Sequence, residues 1–155
     1  EMCIRDRCTP SACMKILDHY GINCSGKKAV VIGRSPVVGK PAAMMLLQKN
    51  ATVTICHTKT KDMPSIVKEA DIVIVAAGRA GVIGADYLRA GQTIIDVGIN
   101  VNEEGRLCGD VSFADAEPVV DAITPVPGGV GSVTTSVLVE HVVDAALLKA
   151  GLDIL

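Results

Sequence analysis

The turn at residues 33–41 is the first part of the sequence that could bind a ligand. It follows a short apolar run at residues 29–33 and precedes a helix predicted over residues 41–49. Glycines in such a turn let the backbone approach a phosphate, and the start of the following helix supplies N–H donors. Ser35 stands where the usual GxGxxG pattern has its second glycine. On spacing alone, a phosphate-binding turn and a corner that binds nothing are equally favoured.

A second polar segment, residues 56–60, ends the next predicted strand and contains Thr58 and Lys59. Enzymes that bind NAD usually carry Asp or Glu at this point to hold the ribose 2′-hydroxyl. Here there are hydroxyls, Lys59 and, from the first turn, Arg34. Cations and hydroxyls favour a 2′-phosphate, so the segment predicts NADP rather than NAD. The alternative for Lys59 is an ordinary solvated surface charge.

A third segment, residues 125–134, is rich in proline and glycine and precedes a long predicted helix. Its prolines stiffen the chain and its glycines open the backbone, so it could lie against a planar ring. Ser132 or Thr134 could cap the helix. Without further context, a simple helix-entry loop is slightly favoured.

These segments need a scaffold, and the hydrophobic pattern supplies one. Apolar strands alternate with helices through short glycine links, which is typical of an α/β fold with a parallel, doubly wound, Rossmann-like sheet. Its ligands bind beyond the carboxyl ends of the strands. The segments expected to meet there are residues 33–41, 56–60, 76–81 and 97–100.

Composition limits the number of domains and the classes of partner that the chain could have. The chain has 155 residues, net charge −2, one Phe and no Trp, which indicates one domain with an aliphatic core. Nothing resembles a basic stripe, a bilayer-length apolar run or a signal peptide, so neither nucleic acid nor a membrane is an expected partner. The six cysteines form no CxxC pair, which favours free thiols in a cytoplasmic protein and no metal site.

Acid–base chemistry has weak support within this sequence. His57 lies near the predicted cofactor edge but has no evident carboxylate partner, and His19 and His141 fall on predicted helices. Asp96 and Asp110 flank the same edge, where a structural or loop-capping role is the expected one.

Taken together and in order, the motifs resemble those of the bifunctional methylenetetrahydrofolate dehydrogenase/methenyltetrahydrofolate cyclohydrolase family. The likeness covers about residues 8–150 and includes Cys8-Thr9-Pro10, Gly33-Arg34-Ser35, Val38-Gly39-Lys40-Pro41, Ala51-Thr52-Val53-Thr54, Cys56-His57, Asp96-Val97-Gly98-Ile99-Asn100, Gly109-Asp110-Val111 and Thr124-Pro125-Val126-Pro127-Gly128-Gly129-Val130-Gly131.

The resemblance implies a cofactor, NADP, and a folate substrate in one-carbon metabolism and purine biosynthesis. Methylenetetrahydrofolate would be oxidised to the methenyl form, which water would open to formyltetrahydrofolate. The implied cofactor-binding residues are Gly33, Arg34, Ser35, Thr58, Ile99 and Thr134. The implied loop facing the substrate and the nicotinamide comprises Pro127, Gly128, Gly129, Val130 and Gly131.

The sequence departs from the family in lacking a Tyr-xxx-Lys signature, so no catalytic residue is assigned. We therefore expect an NAD(P)-binding domain over residues 8–150, an unmatched start at 1–7 that we interpret as a truncated or chimeric reading frame, and a tail at 151–155. The helices at residues 8–20 and 132–151 would join it to a missing N-terminal domain. The family suggests a homodimer, and the chain alone is expected to bind NADP weakly, expose apolar surface, associate and lack both activities. The alternatives are a non-catalytic nucleotide-binding module and another NADP-dependent oxidoreductase of shikimate-dehydrogenase type.

Overall fold

A five-stranded parallel sheet organises the chain in the computed structural model, which describes residues 7–151. The strands are β1 (Lys28–Ile32), β2 (Thr52–Cys56), β3 (Ile72–Val75), β4 (Thr93–Asp96), β5 (Asn100–Val101), β6 (Leu107–Cys108) and β7 (Ala122–Ile123). The strand order in the sheet is β2-β1-β3-β4-β7, and the two short antiparallel strands β5 and β6 form a separate hairpin. The helices are α1 (Cys8–His19), α2 (Gly39–Gln48), α3 (Met63–Lys68), α4 (Phe113–Ala116) and α5 (Val130–Lys149), with a 3-10 turn at Ala85–Tyr87.

Strand order creates a switch point between β1 and β3. From β1 the chain crosses to β2 on one side and then returns to β3 on the other side of β1. The loops that leave β1 and β3 therefore diverge and open a crevice at the carboxyl edge of the sheet. The predicted Rossmann-like, doubly wound architecture is confirmed.

Alternate residues of the strands build a core on each face of the sheet. On one face, Val31, Ile74 and Ile95 pack with α1, α2 and α5. On the other face, Val30, Val73 and Ile94 pack with α3, the 3-10 turn and α4. Because both faces are covered, the central strands read as continuous apolar runs.

Tertiary structure changed some predicted boundaries. The fifth strand, β7, was not predicted, because only two residues pair with β4 and no apolar run marks them. Helix α5 begins at Val130, two residues before its predicted start, with Gly129 as the N-cap residue and no side-chain cap. The expectation that Ser132 or Thr134 caps this helix is therefore wrong, since both lie inside it.

The terminal helices pack against each other along the same face. Lys15 Nζ pairs with Glu140 Oε2 at 2.8 Å, and Cys8 Sγ lies 3.8 Å from His141 Nδ1. Helix α5 is nonetheless exposed over most of its length, and by length and composition alone it could cross a membrane. The predicted unmatched start, apart from residue 7, and the predicted tail, apart from residue 151, lie outside the described residues.

Candidate cofactor-binding site

Backbone hydrogen bonds join the loops that follow β1, β2 and β3. The Gly33 N–H donates to the carbonyl oxygen of Cys56 at 2.8 Å, and the Ala76 N–H donates to the carbonyl of Ile32 at 2.7 Å. In register, Ile32 pairs with Cys56 on one side and with Val75 on the other. The segments at residues 33–35 and 56–60 therefore lie side by side at one edge, as the sequence predicted.

Close backbone packing explains two glycines of the first turn. A β-carbon on Gly33 would overlap the carbonyl oxygen of Ala76, and its φ of +116° also disfavours any other residue. A β-carbon on Gly39 would overlap the carbonyl oxygen of Gly33. The turn can thus fold back tightly from β1 into α2 only with glycine at both positions.

Ser35 replaces the second glycine of the usual pattern and organises the turn instead. Its hydroxyl oxygen accepts hydrogen bonds from the N–H groups of Val38 at 3.0 Å and Gly39 at 3.4 Å. The N–H groups of Arg34, Ser35 and Val37 have no hydrogen-bond partner within residues 7–151. Unpaired N–H groups on an exposed turn before a helix are suited to an anion such as a pyrophosphate.

The loop after β2 is fixed by its own side chains. The His57 N–H donates to Thr60 Oγ1 at 2.9 Å, and the Lys59 N–H donates to His57 Nδ1 at 3.2 Å. Because His57 Nδ1 serves as an acceptor in the loop, the structure gives this ring an organising role. Thr58 and Lys59 are exposed on the loop surface.

Cationic side chains at this edge are free of ion pairs. Neither Arg34 nor Lys59 makes a salt bridge to any residue between 7 and 151, whereas Lys28 and Lys49 are each paired. No carboxylate lies in residues 56–60. The edge can therefore hold a second anionic group beside the turn after β1.

A small cavity of about 180 Å³ lies further along the same edge. Ile99, 70% exposed, lines it from the loop after β4, together with Leu107 of the hairpin. The proline- and glycine-rich loop lines the other side, and all of its predicted residues contribute, namely Pro127, Gly128, Gly129, Val130 and Gly131. A β-carbon on Gly129 would overlap the carbonyl oxygen of Pro125, so this loop also depends on glycine.

Thr134 is the predicted site residue that the structure leaves apart from the others. It lies in the second turn of α5, where its hydroxyl donates to the carbonyl of Val130 at 2.9 Å. It does not line the small cavity. Its cofactor-binding role stays a prediction.

The buried carboxylates of Asp96 and Asp110 have the structural role that the sequence predicted. Asp96 accepts hydrogen bonds from the N–H groups of Gly98 (2.9 Å), Asp110 (3.0 Å) and Val111 (2.9 Å). Burial raises the pKa of Asp96, these N–H groups lower it, and the neighbouring Asp110 raises it. The sequence did not predict the extent of the hydrogen-bond network around Asp110. A polar residue between Gly109 and the apolar Val111 is a local signal that this carboxylate is buried.

A larger cavity, about 1000 Å³, lies beside the edge strand β7 between α1 and α4. Of the predicted site residues, only Gly128 and Gly129 line it. We place the candidate site at the carboxyl edge instead, because unpaired N–H groups and cations converge there. No group of three or more His, Cys, Asp or Glu within residues 7–151 could hold a metal ion.

The known proteins that resemble this chain include a family of NAD(P)-binding domains, which is consistent with a cofactor site at the carboxyl edge of the sheet. The family model described as tetrahydrofolate dehydrogenase/cyclohydrolase, NAD(P)-binding domain, matches residues 7–150. The bifunctional protein FolD of Carboxydothermus hydrogenoformans is 57% identical over 147 residues, which are 94% of this chain and 51% of that protein. The chain thus spans about half the length of the curated relatives it matches.

Solved structures have the same fold. The FolD methylenetetrahydrofolate dehydrogenase/cyclohydrolase from Campylobacter jejuni superposes with a TM-score of 0.90 at 46% identity, covering 92% of this chain and 50% of that one. The Trypanosoma brucei N5,N10-methylenetetrahydrofolate dehydrogenase-cyclohydrolase, solved with NADP and an inhibitor, gives 0.79 at 42% identity, covering 86% and 48%.

Proposed function

The chain belongs to the tetrahydrofolate dehydrogenase/cyclohydrolase family, whose NAD(P)-binding domain it matches over residues 7–150, and we propose that it binds NADP at the carboxyl edge of its sheet. The turn after β1 would hold the pyrophosphate through the free N–H groups of Arg34, Ser35 and Val37. The Ser35 hydroxyl oxygen accepts from the loop backbone, which leaves its hydrogen available to a phosphate oxygen.

One observation carries the proposal. The N–H groups after β1 and the cations Arg34 and Lys59, all without a partner among residues 7–151, lie on adjacent loops that are joined by the hydrogen bond from Gly33 to Cys56. Separate anion-binding groups a few residues apart suit a ligand with phosphates at more than one position.

The preference for the 2′-phosphorylated cofactor follows from charge. An aspartate or glutamate at the end of β2 would favour a ribose 2′-hydroxyl and repel a phosphate. Thr58 and Lys59 stand there instead, and Arg34 reaches the same edge from the first turn. These residues favour NADP over NAD.

For the whole protein, we propose NADP-dependent oxidation of methylenetetrahydrofolate to methenyltetrahydrofolate, followed by hydrolysis to formyltetrahydrofolate. The cofactor, when bound, supplies the hydride acceptor. This chain would contribute Ile99 and the loop of Pro127, Gly128, Gly129, Val130 and Gly131, whose shared cavity of about 180 Å³ would orient the nicotinamide beside the folate. His57 is not assigned to proton transfer, since its Nδ1 is engaged by its own loop.

The oligomer and the cellular setting are part of the same proposal. We expect a cytoplasmic homodimer that binds neither membrane nor nucleic acid, in keeping with the resemblance and with the small net charge. The 155-residue chain alone should lack both activities. The exposed apolar side chains of α5, Leu138, Val139, Val142, Val143 and Leu148, should make it prone to associate.

The alternative functions have less support. A dehydrogenase of shikimate type or a nucleotide-binding module without catalysis could use the same sheet. Neither accounts for the loop of Pro127, Gly128 and Gly129 over the small cavity, or for 57% identity to a bifunctional FolD protein.

Calorimetric titration of NADP and NAD into the 155-residue chain tests the proposal. We expect NADP to bind more tightly than NAD. Arg34→Ala should weaken NADP by about 1.5–3 kcal/mol, the size of a lost charge-assisted contact, and should leave NAD nearly unchanged. Lys27→Ala, which removes an exposed cation before β1 at the opposite edge, is the matched control. Equal affinity for the two cofactors, or an equal effect of both substitutions, would contradict the proposal.

A further inference from the structure

Asp110 fixes the loop that leaves β3. This side chain is completely buried, and it accepts hydrogen bonds from three successive backbone N–H groups. Oδ2 accepts from Ala77 at 2.6 Å and from Gly78 at 2.8 Å, and Oδ1 accepts from Arg79 at 3.0 Å. The loop at residues 77–79 begins next to Ala76, whose carbonyl contacts Gly33 across the switch point.

Asp110 is itself held in place from several directions. Its N–H donates to Asp96 Oδ1 at 3.0 Å, and Asn100 Nδ2 donates to Asp110 Oδ1 at 2.8 Å. A β-carbon on Gly98 would overlap the Asp110 carboxyl group, and one on Gly109 would overlap that of Asp96. The carboxylates pack directly against these glycines. Because its hydrogen bonds and this close packing fix it together, the Asp110 side chain has little freedom to move.

We propose that Asp110 is a positioning residue that holds residues 77–79 as the second wall of the cofactor crevice, opposite the turn of Gly33, Arg34 and Ser35. The inference rests on the proposed binding of NADP. Asp110 would not contact the cofactor, because its oxygens are turned to the loop backbone and to Asn100.

The hydrogen bonds also explain why a negative charge is tolerated beside an anion site. Four N–H donors surround the carboxylate, so its charge is compensated locally. The N–H groups of Ala77, Gly78 and Arg79 are thereby committed to Asp110. This loop contributes shape, whereas the turn after β1 contributes donors for phosphate.

Only a carboxylate meets the demands of this position. No other side chain within residues 7–151 accepts from the N–H groups of Ala77, Gly78 and Arg79. An asparagine would offer one acceptor atom and would turn its own NH₂ group toward N–H donors. Asp110→Asn should therefore release the loop while changing the shape of the side chain very little.

Titration of NADP into the wild-type chain and into Asp110→Asn tests the inference, at a temperature where thermal unfolding shows both to be folded. We expect Asp110→Asn to weaken NADP about 10-fold or more, as misplaced binding groups do. Amide hydrogen exchange should show lost protection at Ala77, Gly78 and Arg79. Asp121→Asn is the control, because Asp121 also accepts from a loop N–H, that of Gly91 at 2.8 Å, but before β4 at the opposite edge. It should change NADP affinity less than about 2-fold.

The outcomes separate the two proposals. If the wild-type chain does not bind NADP, the proposed function fails. If it binds and Asp110→Asn binds within about 2-fold of it while the loop amides exchange freely, the positioning role fails and the loop is not a wall of the crevice. If Asp110→Asn does not fold, Asn100→Ala, which removes one donor to Oδ1, decides: it should weaken NADP without unfolding the chain, and unchanged affinity would overturn the inference.

Discussion

Gly33 and Ala76 meet so closely across the switch point that a β-carbon at position 33 would overlap the Ala76 carbonyl oxygen. This contact ties the end of β1 to the end of β3, at the place where the strand order reverses. It explains why the crevice opens beyond the strand ends rather than between them. It also makes residue 33 a sensitive test of the site.

Gly33→Ala should therefore disrupt the crevice. The added methyl group must displace the Ala76 carbonyl, and the φ of +116° is unfavourable for alanine. We expect a loss of stability of about 2–4 kcal/mol together with loss of NADP binding, measured by urea unfolding and calorimetry. Gly26→Ala is the control, because Gly26 also has a positive φ, +73°, but open space around it. It should cost about 1 kcal/mol and leave binding intact; equal effects at both positions would contradict the role of the contact.

Lys59→Ala should weaken NADP more than NAD. The ammonium group has no ion pair within the described residues and lies on the loop after β2, where the 2′-phosphate is expected. Because the Lys59 ammonium is exposed and, unlike the Arg34 guanidinium, cannot bind a phosphate in a bidentate way, the effect should be smaller, about 0.5–1 kcal/mol, and should shrink as salt is added. Titrations of both cofactors at low and high salt measure it. Lys61→Ala, an exposed cation two residues further along, should have a smaller effect; a larger one would place the phosphate elsewhere.

Asp96→Asn should lower stability in a pH-dependent way. The amide cannot accept from the N–H groups of Gly98, Asp110 and Val111 together, which should cost about 1–3 kcal/mol. Burial raises the pKa of Asp96 in the folded chain, so the folded state holds this proton more tightly than the unfolded state. The stability that Asp96 contributes is therefore greatest below its unfolded pKa and is lost as pH rises through its folded pKa.

Urea unfolding at several pH values checks this sign. The difference in free energy of unfolding between wild type and Asp96→Asn should be larger near pH 4 than near pH 7, since only the wild type titrates at this position. Asp115→Asn, an exposed carboxylate on α4, should not show the same trend. A difference that grows as pH rises would mean that the N–H groups outweigh burial.

Thiol alkylation should separate the cysteines by burial. Burial raises the pKa of Cys13 to about 12 and also raises the pKa of Cys24 and of Cys56. The thiolate is the reactive form, so at about pH 8 Cys13 should resist iodoacetamide. Among the cysteines within residues 7–151, the partly exposed Cys8 and Cys108 should react first. Peptide mass spectrometry measures the order, and unfolding in urea should remove the differences. Early labelling of Cys13 in the folded chain would contradict its burial in the core.

Sequence patterns sufficed for strands β1 to β4, and they also predicted the candidate site. Buried parallel strands must be apolar, and tight turns beyond them must be glycine, so both leave local signals such as residues 29–33 and 72–75. The loop of Pro127, Gly128 and Gly129 and the polar end of β2 were identified for the same reason. The predicted preference for NADP came from the absence of a carboxylate in residues 56–60, which is also a local feature.

The amino-acid sequence by itself determined strands β1 to β4, where the turns of the sheet need glycine, and which charges lie at its carboxyl edge. Tertiary structure alone decided that the short strand β7 extends the sheet and that Asp110 holds the loop after β3. The physical reason is that each of these depends on partners far apart in the chain. Asp110 lies 31 to 33 residues from the N–H groups it accepts, and no local pattern records such a separation.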